Sequence, residues 1–171
     1  ADSSWYFARF TAPDPCAGLP DVELLATREQ AFADLDLYHP WTLSVDESVD
    51  LARRCEQAAF AVSPEVTNSE GATVSIQEGH FISANSLGFM GGYASSRHYL
   101  SCSVIAGKDD DMQRDDWYTT KRDPSELAPA DEIGTFAARR ALARLGARQI
   151  PTCEVPVLFE APLAAGLIGA F

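Results

Sequence analysis

The densest group of side chains able to do chemistry is the acidic run "GKDDDMQRDDWY", residues 107–118, which holds five aspartates within eight positions. Carboxylates at this density suggest a calcium loop, where oxygen ligands surround a glycine turn and end on a bidentate glutamate. Counted from Asp109, the turn position is Arg114 and the last ligand position is Thr120, so the pattern fails at both. The run is therefore predicted to be the solvated end of a hairpin. Four basic residues offset its charge: Lys108, Arg114, Lys121 and Arg122.

The three histidines, His39, His80 and His98, offer no metal site by spacing, since the sequence has neither HExxH nor a Cys/His zinc pattern. His98 follows two serines at 95 and 96, which suggests a nucleophilic Ser/His pair. No G-x-S-x-G turn frames those serines, however, and strand alternation places His98 on the same face as Leu100. We therefore predict a packed, hydrogen-bonded His98 and no hydrolytic triad.

Tyr93, Arg97 and Tyr99 alternate along one stretch and could form a ligand platform. On so acidic a chain we favour an ordinary exposed sheet face instead. The glycine groups match neither the Walker A nor the dinucleotide-binding pattern, so no cofactor is expected on this chain. An enzyme acting through Arg97, His98 and the aspartates ranks last among the hypotheses. It would be active as this chain alone and would lose its activity on His98→Ala.

The overall composition is typical of a globular protein and argues against several classes of ligand and location. A chain of 171 residues with 46% hydrophobic residues can bury a core, and its net charge of −12 argues against nucleic acid as a direct ligand. No apolar run approaches the roughly 18 residues of a membrane span, and no signal peptide is recognisable, so we expect a cytoplasmic protein. Four cysteines without metal-binding spacing are expected to be free, buried thiols: Cys16, Cys55, Cys102 and Cys153.

Two amphipathic helices are predicted. Ser44 and Glu47 form a capping box at the start of the first helix, and Pro64 is expected to end it. The second helix spans about 129–145, with an acidic first turn and Gly146 just past its end. The predicted core stripe of the first helix is Val45, Val49, Ala52, Cys55, Ala59 and Val62; that of the second is Ile133, Phe136, Ala137, Ala141 and Leu145.

Between the helices, short alternating segments predict a meander of about four antiparallel strands, at 66–70, 73–77, 93–106 and 112–122. The tetrapeptides "NSEG" and "NSLG" are interpreted as turns. Residues 153–160 are predicted to be a buried strand, followed by an apolar helix from about 162. The fold class is therefore α+β: an antiparallel β-meander packed with two amphipathic helices.

Three regions are predicted along the chain: a helix end and Pro-rich connector at 1–43, a central α+β domain at 44–150, and a strand with the start of a helix at 151–171. The sequence begins without methionine and ends on the apolar "AAGLIGAF". We therefore expect a fragment that leads into a further C-terminal domain.

Six stretches, in order along nearly the whole chain, resemble the TldD/PmbA family and its PmbA (TldE) branch. Members of this family are much longer, so the chain would be their central third. The stretches are "ARFTAPDPCAGLPDVELLA" (8–26), "TNSEGA" (67–72), "NSLGFMGGYASSRHYLS" (85–101), "DMQRDDWYT" (111–119), "ARRALARLGARQI" (138–150) and "PVLFEAPLAAGLIG" (156–169).

The resemblance implies a heterodimeric, cytoplasmic bacterial metallopeptidase, linked also to modulation of DNA gyrase. Its TldD-type subunit carries HExxxH on a helix, where two histidines bind zinc and the glutamate activates water. The positions where that motif would begin are Gly169 and Ala170 here, which supply neither ligand nor base. The PmbA-type subunit lacks the motif, so the resemblance transfers no catalytic, cofactor-binding or metal-binding residue to this chain.

The sequence thus predicts the central part of a non-zinc, PmbA-type subunit that acts as scaffold and partner surface. The expected partners are a zinc-bearing TldD-like subunit and a peptide in extended form, with no direct nucleic acid and no membrane. The alternative is a binding module that modulates gyrase or another protein without proteolysis.

Overall fold

The computed structural model describes residues 9–12, 14–15 and 17–171. The predicted helix end and parts of the Pro-rich turn, including Pro13 and Cys16, lie outside these residues. The connector contains a 3-10 helix at Val22–Leu24 and the short helix α1 at Arg28–Ala31, which the sequence analysis missed. Thr27 and Gln30 cap α1 reciprocally. Residues 34–40 form the predicted loop.

Helix α2 spans Val45–Phe60 and confirms the predicted capping box. The Ser44 hydroxyl accepts the Glu47 N–H at 3.2 Å, and the Glu47 carboxylate accepts the Ser44 N–H at 2.8 Å. The helix ends before Pro64, in a turn at residues 61 and 62. The predicted stripe is correct for Cys55 and Ala59, which are buried, and wrong for Val45 and Val49, which are exposed. Only the C-terminal half of α2 is covered by the described core.

Three antiparallel strands form one sheet in the order β1-β2-β3: Val66–Ala84, Met90–Ala106 and Gln113–Lys121. The predicted separate strands at 66–70 and 73–77 are wrong, because "NSEG" continues the strand through a register irregularity instead of turning it. The Ser69 hydroxyl accepts the Gly71 N–H at 2.8 Å and donates to the Ser103 carbonyl at 3.2 Å. Glu70 is the extra residue at this shift, and the pairing with β2 resumes at Gly71 opposite Ser103.

The predicted "NSLG" turn joins β1 to β2. The Asn85 carboxamide oxygen accepts the N–H groups of Leu87 (3.1 Å) and Phe89 (3.2 Å), and Gly88 has a φ of 89°, which favours glycine. The hairpin is long: β3 pairs with β2 only between residues 98 and 106, so residues 77–84 and 90–97 project as a two-stranded ribbon. Asp109–Asp111 form a 3-10 helix in the connection from β2 to β3.

Helix α3, Ala130–Ala143, packs across the sheet and against α2. Its close contact with α2 depends on Gly134, because a Cβ there would overlap the Cys55 carbonyl oxygen. Phe136 was predicted to lie in the core stripe and is 42% exposed; it packs at the edge of the core, 4.5 Å from the Trp117 ring. Gly146 follows the helix with a φ of 68°.

The core lies between one face of the sheet and these two helices, which confirms the α+β class. The buried hydrophobic side chains of β2 are the predicted alternate set: Leu100, Cys102, Val104 and Ala106. Cys55 and Cys102 are free and buried, as predicted, whereas Cys153 is exposed, which the prediction had wrong. The thiol contact with Cys102 and burial both raise the pKa of Cys55, which suits an inert core residue.

Residues 153–160 have no regular secondary structure and do not form the predicted buried strand. They pair with no strand of the described chain, and apolar side chains such as Val157 and Leu158 are exposed. The segment is held at its end by Glu160, whose carboxylate binds Arg140 of α3 at 2.7 and 2.9 Å. Helix α4 follows at Ala161–Ile168, as predicted, and is also exposed. The described residues contain no helix long and apolar enough to cross a membrane.

Candidate functional site

The most distinctive surface is the side of the sheet turned away from α2 and α3, here called the open face. Strand alternation directs odd-numbered residues of β2 to this side while even-numbered residues enter the core. The antiparallel register then sets their neighbours: Tyr99 lies between Ser75 of β1 and Thr120 of β3. By the same register the open face comprises Thr73, Ser75, Gln77, Phe81, Tyr93, Ser95, Arg97, Tyr99, Ser101, Tyr118 and Thr120.

Two pairs of aromatic side chains lie on the open face at different positions along the strands, and each such position is called a level. Tyr99 and Tyr118 stack with ring centroids 5.7 Å apart and an interplanar angle of 27°. Phe81 and Tyr93 lie across the projecting ribbon with centroids 5.4 Å apart. Rings exposed in this way offer flat apolar surface beside hydroxyl groups, a combination suited to contacting a ligand or a partner chain. The predicted platform residues Tyr93, Arg97 and Tyr99 therefore do share one face.

Two arginines lie at the level between these aromatic pairs. Arg97 is opposite Gln77 on β1, and the last paired residues of β2 and β3 are His98 and Lys121, so Arg122 follows beside Arg97. Both arginines are exposed. They line two adjoining depressions of about 390 and 470 Å³ at the place where β3 ends and the ribbon continues.

Ser96 and His98 face the core rather than a ligand. The Ser96 hydroxyl accepts the His39 N–H at 2.9 Å and donates to the Arg122 carbonyl at 3.0 Å. His98 bonds through Nε2 to the His39 carbonyl at 2.7 Å; a carbonyl only accepts, so Nε2 carries the proton. The Trp41 ring packs edge-on against it, with centroids 5.4 Å apart. The buried, hydrogen-bonded histidine is thus confirmed, and the serine hydroxyl is already occupied by other partners.

The aspartate run is divided by the fold. Asp109–Asp111 lie in the β2–β3 connection, whereas Asp115 faces the helices, where it bonds Arg140 Nε at 3.1 Å and Arg144 Nη1 at 3.4 Å. Burial raises the pKa of Asp115, because it disfavours the charged carboxylate. The hydrogen bond from the Asp116 N–H and the contacts with the two arginines lower the pKa by more, so it lies below its ordinary value. Within the described part of the chain, no three His, Cys, Asp or Glu side chains gather as metal ligands.

The resemblance implies that the zinc motif of a TldD-type subunit would begin at Gly169 and Ala170, at the end of α4. Gly169 is the C-terminal cap of this helix, and Ala170 follows it; both are exposed, and neither side chain carries a donor atom. Zinc in peptidases needs nitrogen, sulfur or carboxylate ligands and a general base. The residues present here do not fit that metal, and no catalytic step is assigned to this chain.

Sequence reasoning missed Arg122, Tyr118 and Phe81 as members of the open face. Alternation within β3 carried a signal for Tyr118, since it lies an even number of residues from the exposed Thr120. The proximity of Arg122 to Arg97 needed the register between strands, which a single sequence does not provide.

Comparison with known proteins identifies a matching family and several similar proteins. The family described as "PmbA/TldA metallopeptidase central domain" matches residues 38–145. "Metalloprotease PmbA" of Escherichia coli O157:H7 is 45% identical over 95% of this chain, and "Metalloprotease PmbA homolog" of Haemophilus influenzae is 38% identical over 96%. The chain spans only 35% and 36% of these two relatives, about a third of their length.

Two solved structures share the fold. A Thermotoga maritima protein described as a modulator of a DNA gyrase superposes with a TM-score of 0.58 at 28% identity, over 64% of this chain and 25% of its own. A Bacteroides thetaiotaomicron protein described in the same way gives a TM-score of 0.67 at 22% identity, over 85% of this chain and 33% of its own. Because its sequence identity is low, this similarity is evidence for the fold only. With the family match over most of the sheet and both core helices, these relatives show that the chain belongs to the TldD/PmbA metallopeptidase family, whose central domain it contains.

Proposed function

We propose that this chain is the central part of a non-zinc, PmbA-type subunit in a bacterial metallopeptidase that degrades or matures unfolded or modified peptides. Its role is to form a scaffold and a surface for partner and peptide, while a TldD-like subunit supplies the zinc. The observation that carries the proposal is the open face, which borders the outer edge of β1.

The outer edge of β1 is suited to an extended peptide. This strand runs over Val66–Ala84, and within the described chain it pairs with β2 alone. Edge strands present unpaired N–H and C=O groups that can add a further strand. Main-chain pairing of that kind is tolerant of sequence, as a peptidase for unfolded chains requires, and side chains of the open face would then contact alternate residues of the peptide.

The absence of metal ligands at Gly169 and Ala170 supports assigning the zinc to another subunit. Serine chemistry is not an alternative source of catalysis at Ser96, because its hydroxyl is bonded to main-chain groups of other segments. The other residues considered for chemistry, His98 and Asp115, are engaged in structural contacts on the core side of the sheet.

The test is reconstitution with a TldD-like subunit that carries HExxxH. The chain alone is expected to bind no stoichiometric zinc by elemental analysis and to cleave no unfolded peptide. Mixed with the zinc subunit, it is expected to co-elute and to enhance cleavage. One tightly bound zinc per chain, or cleavage by the chain alone at the rate of the mixture, would refute the proposal.

The second candidate is a binding module that modulates gyrase without proteolysis. It is favoured by the similarity to the Thermotoga maritima protein, which is described as a modulator of a DNA gyrase. The net charge of −12 points to contact with the gyrase protein rather than with DNA. Under this alternative, the purified chain retains gyrase protein in a pull-down and changes supercoiling with no zinc subunit present; the peptidase proposal predicts neither.

A further inference from the structure

The arginine pair on the open face includes a guanidinium group that has no partner in direct contact among the described residues. Within the described chain, the Arg97 guanidinium takes part in no hydrogen bond or ion pair, although the protein carries an excess of acidic groups. Arg122 donates from Nη1 only to the Ser96 carbonyl, at 3.4 Å. Like charges side by side on neighbouring strands are unfavourable, so two arginines placed there gain most from a shared anion.

Carboxylates do lie around the two depressions, but each is engaged with a different group. They are Glu78 in the first depression and Asp36, Asp123 and Glu126 in the second. Glu78 accepts a hydrogen bond from the Tyr38 hydroxyl at 2.9 Å, and Glu126 lies 3.8 Å from Lys121. Asp123 accepts the Ser125 N–H at 2.8 Å, and Asp36 lies 3.4 Å from His39 Nε2. The bond to Glu78 also raises the pKa of Tyr38, so this phenol stays protonated as the donor. Arg97 is therefore available to a group from outside.

The surroundings of the pair favour a carboxylate carried on a peptide. Gln77 faces Arg97 across the strands, and the Tyr99–Tyr118 stack lies one level further along the open face. Guanidinium groups bind carboxylates through paired N–H donors, and tyrosine rings beside them give flat surface for the rest of a chain. The net charge of −12 repels an acidic ligand at long range, so any affinity for one must come from this local contact.

We infer that Arg97 and Arg122 form a carboxylate-binding subsite on the open face, which selects peptides that present an aspartate, a glutamate or a free C-terminus at this level. The inference rests on the proposed function, since it names the class of peptide that the same surface would take. It assigns recognition, not catalysis, to the pair. The carboxylate replaces the missing counterion of Arg97.

The test measures binding of short fluorescent Gly/Ser peptides to the chain by anisotropy, in about 0.1 M salt, where charges act over about 10 Å. Four forms are compared: amidated with two adjacent aspartates, unsubstituted with a free C-terminus, amidated and neutral, and amidated with two lysines. At least one carboxylate form is expected to bind about tenfold tighter than the neutral form, as hydrogen bonds between charged groups allow. The stronger of the two carboxylate forms identifies the source of the carboxylate.

The double substitution Arg97→Gln/Arg122→Gln is expected to reduce binding of the carboxylate peptide to that of the neutral peptide. The control is Arg148→Gln, an exposed arginine in the segment after α3, which should leave affinity within about twofold. Circular dichroism establishes that each variant is folded. Equal binding of all four peptides, binding of none, or an equal effect of the control would overturn the inference. Assembly with a zinc subunit and cleavage of neutral peptides would persist in that case, which separates this failure from failure of the proposed function.

Discussion

Gly134 allows α2 and α3 to pack with their backbones in contact, and Gly134→Ala tests how closely. In an open helix this change should stabilise the protein by about 1 kcal/mol, because glycine loses more backbone entropy than alanine. Here the new methyl group would overlap the Cys55 carbonyl oxygen and come within 2.9 Å of the Cys55 carbonyl carbon and 3.1 Å of the Ala59 nitrogen. None of these is a side-chain atom that can rotate away, so the helices must move apart.

Overpacking typically costs about 1–3 kcal/mol, and backbone overlap belongs at or above the upper end of that range. We therefore expect the cost of the clash to exceed the gain of about 1 kcal/mol from the better helix propensity of alanine. The free energy of unfolding should fall by about 2 kcal/mol or more. Urea unfolding followed by far-UV circular dichroism measures the change. The matched control is Gly166→Ala in α4, where an added Cβ meets nothing within 4 Å and no loss is expected. A Gly134→Ala protein at least as stable as the unmodified chain would refute the close packing of these helices.

Two further substitutions test the contacts that hold the sheet. His98→Ala is expected to lower the free energy of unfolding by about 3 kcal/mol, because it empties a fully buried site and removes the bond to His39. The control His80→Ala, on the exposed part of β1, should lower it by less than about 0.5 kcal/mol. Similar urea midpoints for the two variants would contradict this prediction. Asp115→Asn is expected to cost about 1–2 kcal/mol at pH 7. Since the folded-state pKa of Asp115 is lowered, the stability it contributes is present above its unfolded pKa, near 3.8, and disappears as the pH falls through the folded value. Urea melts of the two proteins should therefore converge in acid, and a constant difference down to about pH 2 would assign the effect to packing instead.

Local patterns predicted the parts of the fold that depend on neighbouring residues. The Ser44–Glu47 capping box involves only one turn of chain, so its side chains identify the start of α2 without any tertiary information. The alternation in β2 similarly predicted burial of His98 and Leu100, because a half-buried strand repeats every second residue. The ligand spacing of the acidic run argued against a calcium loop, but the sequence did not show that the fold divides the run between the β2–β3 connection and β3.

The wrong predictions concern residues whose burial depends on contact with a second helix or strand. Val45 and Val49 continue the apolar spacing of α2 but lie beyond the described core. Residues 153–160 have strand-like composition but pair with no strand among the described residues. Periodicity describes one element, whereas burial requires a second one in contact with it. The continuity of β1 was missed for a related reason, since the bond from the Ser69 hydroxyl to the Ser103 carbonyl exists only after β2 has paired.

The sequence by itself determined the two core helices, the antiparallel pairing class, the buried histidine and the family resemblance, because capping, alternation and order of motifs are properties of the chain read along its length. Only the tertiary structure decided which side of the sheet stays open and which residues meet on it. Arg97 lies in β2 and Arg122 directly follows β3, and their proximity is a consequence of antiparallel register. Register results from packing of the whole sheet against α2 and α3, so the candidate carboxylate site exists in the fold and has no signature in either strand alone.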